Sequence, residues 1–352
     1  MRNPHPPQPS QGPLAHYWSR TVQELVEVST SPLRAELQDR HQIFCWLVMA
    51  LVTHYWNGDI HGREGQYNYR KAQLAQTRHE TYLRHNIACV AVDGFGHVID
   101  FDFNHNELFN SSLEHAEARL VRRLFSLAQI NDPDMLQLPR ANASKATSLP
   151  GKAIGHFYNW VAAFVESTND ERRLVDSHYS KALKNVTLYT SLESCAQCSG
   201  IMALGYVKGV IFLQRDPLQN SIGNILFNLT AQQSRLRAPL PIPADTVGVT
   251  AFDDLNKAFQ NYCGAVKTKP FYVNPARNKR DDRDSIVSFL CTDVARDIFE
   301  SGADRLKKPS AHPKYRPPID PRVLTNGEAL SHARNFFRYA TTLGRRGSPH
   351  TL

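Results

Sequence analysis

The stretch at residues 186–200, V-T-L-Y-T-S-L-E-S-C-A-Q-C-S-G, restricts the fold and chemistry of this chain more than any other. Val186 to Leu192 alternates in the manner of a β-strand, and a polar turn then leads to Cys195 and Cys198 at the start of a predicted helix. Two cysteines one turn apart at a helix N-terminus can bind one ion, because the positive helix end favours thiolates. Alone, a C-x-x-C pair is also compatible with redox chemistry or structural zinc.

A second motif, H-A-E at His115–Glu117, narrows the choice. His115 is a third candidate ligand beside Cys195 and Cys198, and Glu117 lies two residues further, on another face of a helix. Three protein ligands leave the fourth tetrahedral position of a zinc ion to water, as catalysis requires. His, Cys, Cys and a glutamate that does not bind the metal are the signature of hydrolytic deamination. We therefore predict one Zn²⁺ per chain and a zinc deaminase, or a descendant of one.

The composition excludes several other classes of protein. With 352 residues, 41% of them apolar, the chain can hold two modest domains or one domain with large additions. Its six cysteines show no regular spacing, so no disulfide framework is implied. The apolar run Ile43–Val52 is too short to cross a bilayer, and no membrane partner is expected. Residues 1–15 have no apolar signal region and are expected to be a disordered leader, which favours a cytoplasmic location.

The positive charge is concentrated at one end of the chain. Residues 1–264 carry 24 Lys and Arg against 24 Asp and Glu, whereas residues 265–352 carry 17 against 9. A basic segment attached to a neutral body favours a polyanionic partner such as RNA. A solvated tail that keeps the protein soluble is the alternative interpretation.

Hydrophobic periodicity and turn residues predict alternating helices and strands along the chain. The clearest signal is a hairpin, Asn86–Val92 and His97–Phe103, joined through the turn Asp93–Gly96. The predicted helices are 18–28, 32–57, 67–84, 114–130, 154–167, 171–183, 195–205, 221–229, 253–266 and 328–343, and further strands are predicted at 186–192, 209–213 and 246–252.

The order of these elements and two sequence blocks resemble the cytidine deaminase-like zinc deaminases. The blocks are V-T-L-Y-T-S-L-E-S-C-A-Q-C-S-G-I-M-A-L at 186–204 and V-I-F-L-Q-R-D-P at 210–217. They are most similar to the tRNA-specific adenosine deaminases of the TadA type, in which T-L-Y-x-T-L-E-P-C-x-x-C-x-G-A precedes V-x-F-G-x-x-D. The resemblance covers roughly residues 86–265 and implies a three-layer α/β/α sandwich with a mixed five-stranded sheet.

We predict four regions along the chain, of which the resemblance covers only the third. They are the disordered leader 1–15, an N-terminal helical extension 16–84, the zinc deaminase domain 85–266 and a basic C-terminal extension 267–352. An insert at 131–185 accounts for the 80 residues between His115 and Cys195, and we expect it to form a lobe near the mouth of the site. Ser194 stands where the family has proline, and we expect it to cap the C-x-x-C helix in an S-x-x-Q box with Gln197.

The resemblance also implies residue roles. His115, Cys195 and Cys198 would hold zinc, and Glu117 would carry a proton from the attacking water to the base and then to the departing amine. Asn104 would contact the nucleoside, and Ala116 would offer its backbone N–H to the base. By its position alone Asn104 is a residue at a strand end, so Asn106 could serve equally.

The leading functional hypothesis is adenosine-to-inosine editing of RNA, most simply tRNA, held through the basic 265–352 segment. Single-stranded loops present unstacked bases that a deep zinc pocket can accept. The second hypothesis is deamination of a free base, nucleoside or nucleotide of the guanine, cytidine or deoxycytidylate type. The third is a non-catalytic accessory subunit of another deaminase, against which the intact Glu117 argues. The oligomeric state stays open, with a homodimer as the candidate.

Overall fold

The computed structural model describes residues 20–27, 32–56, 86–106, 111–128, 183–219, 221–231, 237–268, 272–274, 279–281 and 284–342. The expected leader 1–15, the helix predicted at 67–84 and nearly all of the insert 131–185 lie outside these residues.

The described residues form helices and strands in an alternating order. The helices are α1 Val22–Val26, α2 Ala35–His54, α3 Ala116–Ala128, α4 Ala196–Leu204, α5 Ile222–Thr230, α6 Ala251–Thr268, α7 Ile286–Phe289, α8 Asp293–Arg305 and α9 Asn326–Thr342. The strands are β1 Ala88–Val92, β2 Val98–Phe103, β3 Thr187–Thr190, β4 Gly209–Phe212, β5 Leu240–Pro243, β6 Tyr272–Asn274 and β7 Lys279–Asp281.

Strands β1 to β5 form one mixed sheet in the order β2-β1-β3-β4-β5. The β1–β2 and β1–β3 pairs are antiparallel, whereas β3, β4 and β5 run parallel. The register Cys89↔Thr190 and Ala88↔Phe103 brings the last residues of β2 and of β3 to the same end of the sheet. We call this end of the strands the ligand edge, because His115 and Cys195 lie beside it. The α/β fold with a mixed five-stranded sheet, predicted from the sequence, is confirmed.

Helices cover both faces of the sheet, as the contacts of the alternating side chains of β2, V-I-D-F-D-F, show. Asp100 and Asp102 face α3, where they pair with Arg119 and Arg123. The intervening Phe101 faces the other way, against Phe336 of α9. One layer therefore contains α3, α4 and α5, and the other contains α2 with α8 and α9 packed on it.

The second layer shares its hydrophobic core with the sheet. Helix α2 is buried from Ile43 to Val52, and Phe299 of α8 and Phe336 of α9 are fully buried in the same cluster as the strands. These helices lie in the regions predicted as N-terminal and C-terminal extensions. The proposed boundaries at 84/85 and 266/267 stay a prediction, but the packing of these helices is continuous with the sheet.

The sequence misplaced the last strand of the sheet. The prediction at 246–252 is wrong: β5 is Leu240–Pro243, and a 3-10 turn at Ala244–Val247 follows it. Two prolines in L-P-I-P argued against a strand, yet among the described strands β5 pairs with β4 alone and is an edge strand, where proline is tolerated. Gly248, with φ of +76°, ends the turn in a left-handed conformation that favours glycine.

Helix α8 was also missed, because prolines and charges on both sides of it suggested irregular structure. Thr292 caps it by accepting a hydrogen bond from the Ala295 N–H. No helix in the described part of the chain is long and apolar enough to cross a membrane.

Candidate metal centre and active site

The structure brings the three predicted metal ligands together at the ligand edge. His115 immediately precedes α3, Cys195 is the N-cap of α4, and Cys198 lies in the first turn of α4. The Nδ1 atom of His115 lies 3.3 Å from Sγ of Cys195 and 3.6 Å from Sγ of Cys198. All three ligand atoms lie within 4.8 Å of one another.

These separations fit a tetrahedral zinc ion. With bonds of about 2.3 Å to sulfur and about 2.1 Å to nitrogen, tetrahedral angles place nitrogen and sulfur about 3.6 Å apart. One imidazole and two thiols, all pointing at one another, are also the donor types that zinc prefers. The group His115, Cys195 and Cys198 can therefore hold a metal ion.

The local fold favours negative charge where the cysteines lie. The pKa of Cys195 is lowered to about 4, first because the Cys198 thiol donates to its sulfur and then because His115 does. The pKa of Cys198 is raised in turn, since this thiol donates its proton to Cys195 and is buried. The pKa of His115 is raised by the same bond to Cys195. Without a cation, one thiolate is thus stabilised by two donors; a divalent cation would favour both thiolates.

Glu117 lies beside this group but outside it. Its carboxylate is 3% exposed, and burial raises its pKa. Oε2 lies 3.4 Å from Sγ of Cys198, whereas Oε1 accepts from Oγ1 of Thr190 at 3.3 Å and from Oγ of Ser194 at 3.1 Å. A buried carboxylate with a raised pKa next to a metal-ligand group has the properties of a proton carrier.

The two predicted substrate contacts bind each other in this structure. Oδ1 of Asn104 accepts a hydrogen bond of 2.7 Å from the backbone N–H of Ala116, and both residues are buried. The side chain of Asn104 thereby satisfies one of the N–H groups at the start of α3. Asn106, the alternative by position, donates from its side-chain amide to the Ser111 carbonyl. The substrate-binding roles stay a prediction.

Ser194 does not play the capping role expected from its sequence position. Cys195 is the N-cap of α4, without a side-chain cap, and Gln197 donates to the Leu113 carbonyl instead of closing a capping box. The hydroxyl of Ser194 points at Glu117. Sequence reasoning therefore missed Ser194 and Thr190 as partners of Glu117. The one sequence signal that could have predicted the Thr190 contact was strand alternation. It places Tyr189 on the face of the sheet toward His41 and Thr190 on the opposite face, toward Glu117.

An ionic network holds α3 on the sheet. Arg123 donates to both Asp100 and Asp102, and Arg119 bridges Asp102 and Glu114. Both aspartates are fully buried. Because α3 starts directly after the candidate ligand His115, this network fixes the helix that carries Glu117 relative to β2, the strand that Asn104 follows.

The expected position of the insert can be compared with the residues on either side of it. Phe125, near the end of α3, lies beside Gly205, and Lys208 bonds to Val186 just before β3 begins. The last turn of α3 and the described residues that begin at 183 therefore lie near the end of the sheet opposite the ligand edge. Residues 131–182 of the insert lie outside the described residues, so its expected position near the site mouth stays a prediction.

Comparisons with known proteins give only a distant structural similarity. No family model matches it, and no curated protein matches it. Among solved structures that match, one comes from biochemical and structural studies of A-to-I editing by tRNA:A34 deaminases at the wobble position of transfer RNA. It is 18% identical, covers 49% of this chain and 91% of its own, and has a TM-score of 0.25. This likeness is too weak to carry an argument, so the functional assignment depends on the site itself.

Proposed function

We propose that this protein is a zinc-dependent hydrolytic deaminase of a nucleobase, acting on adenosine in RNA, most simply tRNA. One observation carries the proposal: a buried glutamate lies beside a His/Cys/Cys group of tetrahedral spacing without belonging to it. A structural zinc site would use a fourth protein ligand and would not need such a carboxylate.

In this proposal His115, Cys195 and Cys198 hold the ion through Nδ1 and the two sulfur atoms. Zinc, when bound, lowers the pKa of the attacking water to about 7. Glu117 takes the proton of that water on a carboxylate oxygen and gives it to the ring nitrogen next to the target carbon. It then takes the second proton of the water, from the hydroxyl now on the target carbon, and gives it to the amine, which departs as ammonia and leaves a carbonyl oxygen in its place.

The substrate-binding roles of Asn104 and Ala116 are part of the same proposal, with one refinement. The Ala116 N–H already bonds to Asn104, so it can reach a base only if the Asn104 side chain turns away. Asn104 can contact a nucleoside through its Nδ2 while it keeps the helix start in place. We therefore favour Asn104 over Ala116 as the contact in this arrangement. Asn104→Asp keeps the acceptor for Ala116 and removes the amide donor, so it should raise KM without unfolding the protein.

RNA binding through the 265–352 segment rests on its charge. Several of its cations are already paired, among them Lys307 with Asp304, Arg316 with Glu328 and Arg322 with Asp320. These pairs are solvent-exposed and can exchange a carboxylate for a phosphate at little cost. RNA affinity should therefore fall steeply as salt rises.

The test measures inosine and ammonia released from total RNA by the purified zinc-loaded protein. A parallel panel contains adenosine, cytidine, guanine and deoxycytidylate. Glu117→Gln is the matched control, since it keeps the shape of the side chain and removes its proton chemistry. Inosine in tRNA that disappears in the variant supports the proposal. Turnover of a small compound with unreacted RNA would reassign the protein to metabolism, and bound zinc without any turnover would leave the accessory-subunit hypothesis.

A further inference from the structure

Two hydroxyl groups converge on a single oxygen of Glu117. Oγ of Ser194 donates to Oε1 at 3.1 Å, and Oγ1 of Thr190 reaches the same atom at 3.3 Å. All three side chains are at most 4% exposed. A buried carboxylate oxygen has little water to bind, so these donors supply its hydrogen bonds.

The two donors come from sequence positions that the family motif does not reserve for them. In T-L-Y-x-T-L-E-P-C, Ser194 replaces the proline and Thr190 occupies the variable position. Proline has no donor, so the contact from residue 194 belongs to this chain. The hydroxyl is not used to cap α4 either, because the N-cap of that helix is Cys195.

The consequence is that the two oxygens of Glu117 are not equivalent. Oε1 is held by two hydroxyls, while Oε2 lies 3.4 Å from Sγ of Cys198, a member of the ligand group. Turning the carboxylate about its last bond would break both hydroxyl contacts. Ser194 also directly precedes Cys195, so one residue connects the turn that carries a ligand to the orientation of the glutamate.

We propose that Ser194 and Thr190 are positioning residues that hold Oε1 of Glu117 and thereby direct Oε2 toward the metal ligands. This inference rests on the proposed deaminase function only insofar as Oε2 is the oxygen that carries the proton. Ser194 makes the shorter contact and contributes more than Thr190. In this chain the serine takes over an orienting task that proline could not perform.

The test compares variants that remove a hydroxyl with variants that keep it. Ser194→Ala and Ser194→Pro remove the donor, and Ser194→Thr keeps it; Thr190→Val and Thr190→Ser form the matched pair in the strand. A hydrogen bond to a charged group is worth about a tenfold factor or more. We expect Ser194→Ala to lower kcat about 10-fold with KM unchanged. Ser194→Thr should restore kcat, and zinc should stay at one per chain in every variant.

A second measurement does not depend on turnover. In the difference infrared spectrum of the zinc-loaded protein, the carboxylate band of Glu117 is identified by its loss in Glu117→Gln. That band should shift in Ser194→Ala and in Thr190→Val, and stay in place in Ser194→Thr. If no substrate is ever turned over, a shifted band still supports the orienting contact, so failure of the proposed function remains distinguishable.

The opposite results would overturn the inference. An unshifted band and an unchanged kcat in Ser194→Ala would show that the hydroxyl does not orient Glu117. Loss of zinc from Ser194→Ala with an unshifted band would mean that Ser194 shapes the ligand turn alone. If Ser194→Ala fails to fold, the comparison of Thr190→Val with Thr190→Ser tests the inference by the same two measurements, kcat and the position of the carboxylate band.

Discussion

Two carboxylates, Glu117 in the layer with the candidate metal ligands and Asp39 in the layer opposite, are each 3% exposed but have contrasting surroundings. Asp39 accepts hydrogen bonds from the Ser310 hydroxyl, the backbone N–H groups of residues 311 and 312, and the Asn326 amide. Glu117 accepts from two side-chain hydroxyls at one oxygen, and its other oxygen lies 3.4 Å from Sγ of Cys198.

The difference separates a structural carboxylate from one suited to chemistry. The donors to Asp39 tie α2 to the 310–326 loop and to the start of α9, so that carboxylate organises a whole layer. The donors to Glu117 fix only its orientation and leave burial to raise its pKa. Equal burial therefore says little about role; the two carboxylates differ in how many donors each has and in which elements supply those donors.

The largest effect is expected from removing a metal ligand. His115→Ala leaves two thiols for the ion, so zinc content should drop well below one per chain and deaminase activity should vanish. Metal analysis and ammonia release measure both. His312→Ala is the matched control, because it removes an imidazole from the layer of Asp39 and should leave both quantities intact. Full activity in His115→Ala would contradict the proposed site.

Glu117→Gln should lose activity while it keeps its zinc. General acid–base catalysis contributes about 10²–10⁴-fold, and we expect a fall of that size in kcat. The free energy of unfolding should stay the same or rise, because a buried ionisable group becomes neutral. Chemical denaturation and metal analysis check both expectations. A strongly destabilised Glu117→Gln would show that Glu117, like Asp39, mainly stabilises the fold.

Asp39→Ala should show the reverse pattern. Its loss leaves several buried donors without their acceptor, which should lower the free energy of unfolding by about 3 kcal/mol or more. Activity per folded molecule should stay within about twofold, because the layer of α3 and α4 is untouched and effects at separate sites are nearly independent. Denaturant titration followed by kinetics on the folded fraction measures both. A selective loss of kcat would instead couple the two layers.

The smallest effect is expected at Gly248, between the 3-10 turn and α6. Its φ of +76° suits glycine, and a Cβ there would meet the end of the flexible Gln42 side chain at 2.8 Å. Gly248→Ala should therefore cost about 1–2 kcal/mol of stability, mostly backbone strain, with activity unchanged. Thermal unfolding measures the loss, and Gly264→Ala, with open space around its Cβ, serves as the control.

Much of the fold was predictable because its signals are local. The hairpin β1–β2 was confirmed because D-G-F-G supplies the turn between two alternating runs. Strand β3 and helix α4 were also found from neighbouring residues. By contrast β5 was missed, because only its edge position makes the two prolines acceptable. Helix α8 was missed for a related reason: its buried residues, such as Phe299, are explained by packing against α2.

By itself the sequence determined which functional groups the site contains. They are one imidazole, two thiols and one carboxylate, at spacings that suit a helix start and a strand-to-helix turn. Tertiary structure alone decided the rest. Ser194 reaches Glu117 across 77 residues, and Ser310 reaches Asp39 across 271. Periodicity and capping rules describe neighbours within a few positions of one another. The partner of a buried polar group depends on which elements the sheet brings together, so local sequence patterns cannot predict it.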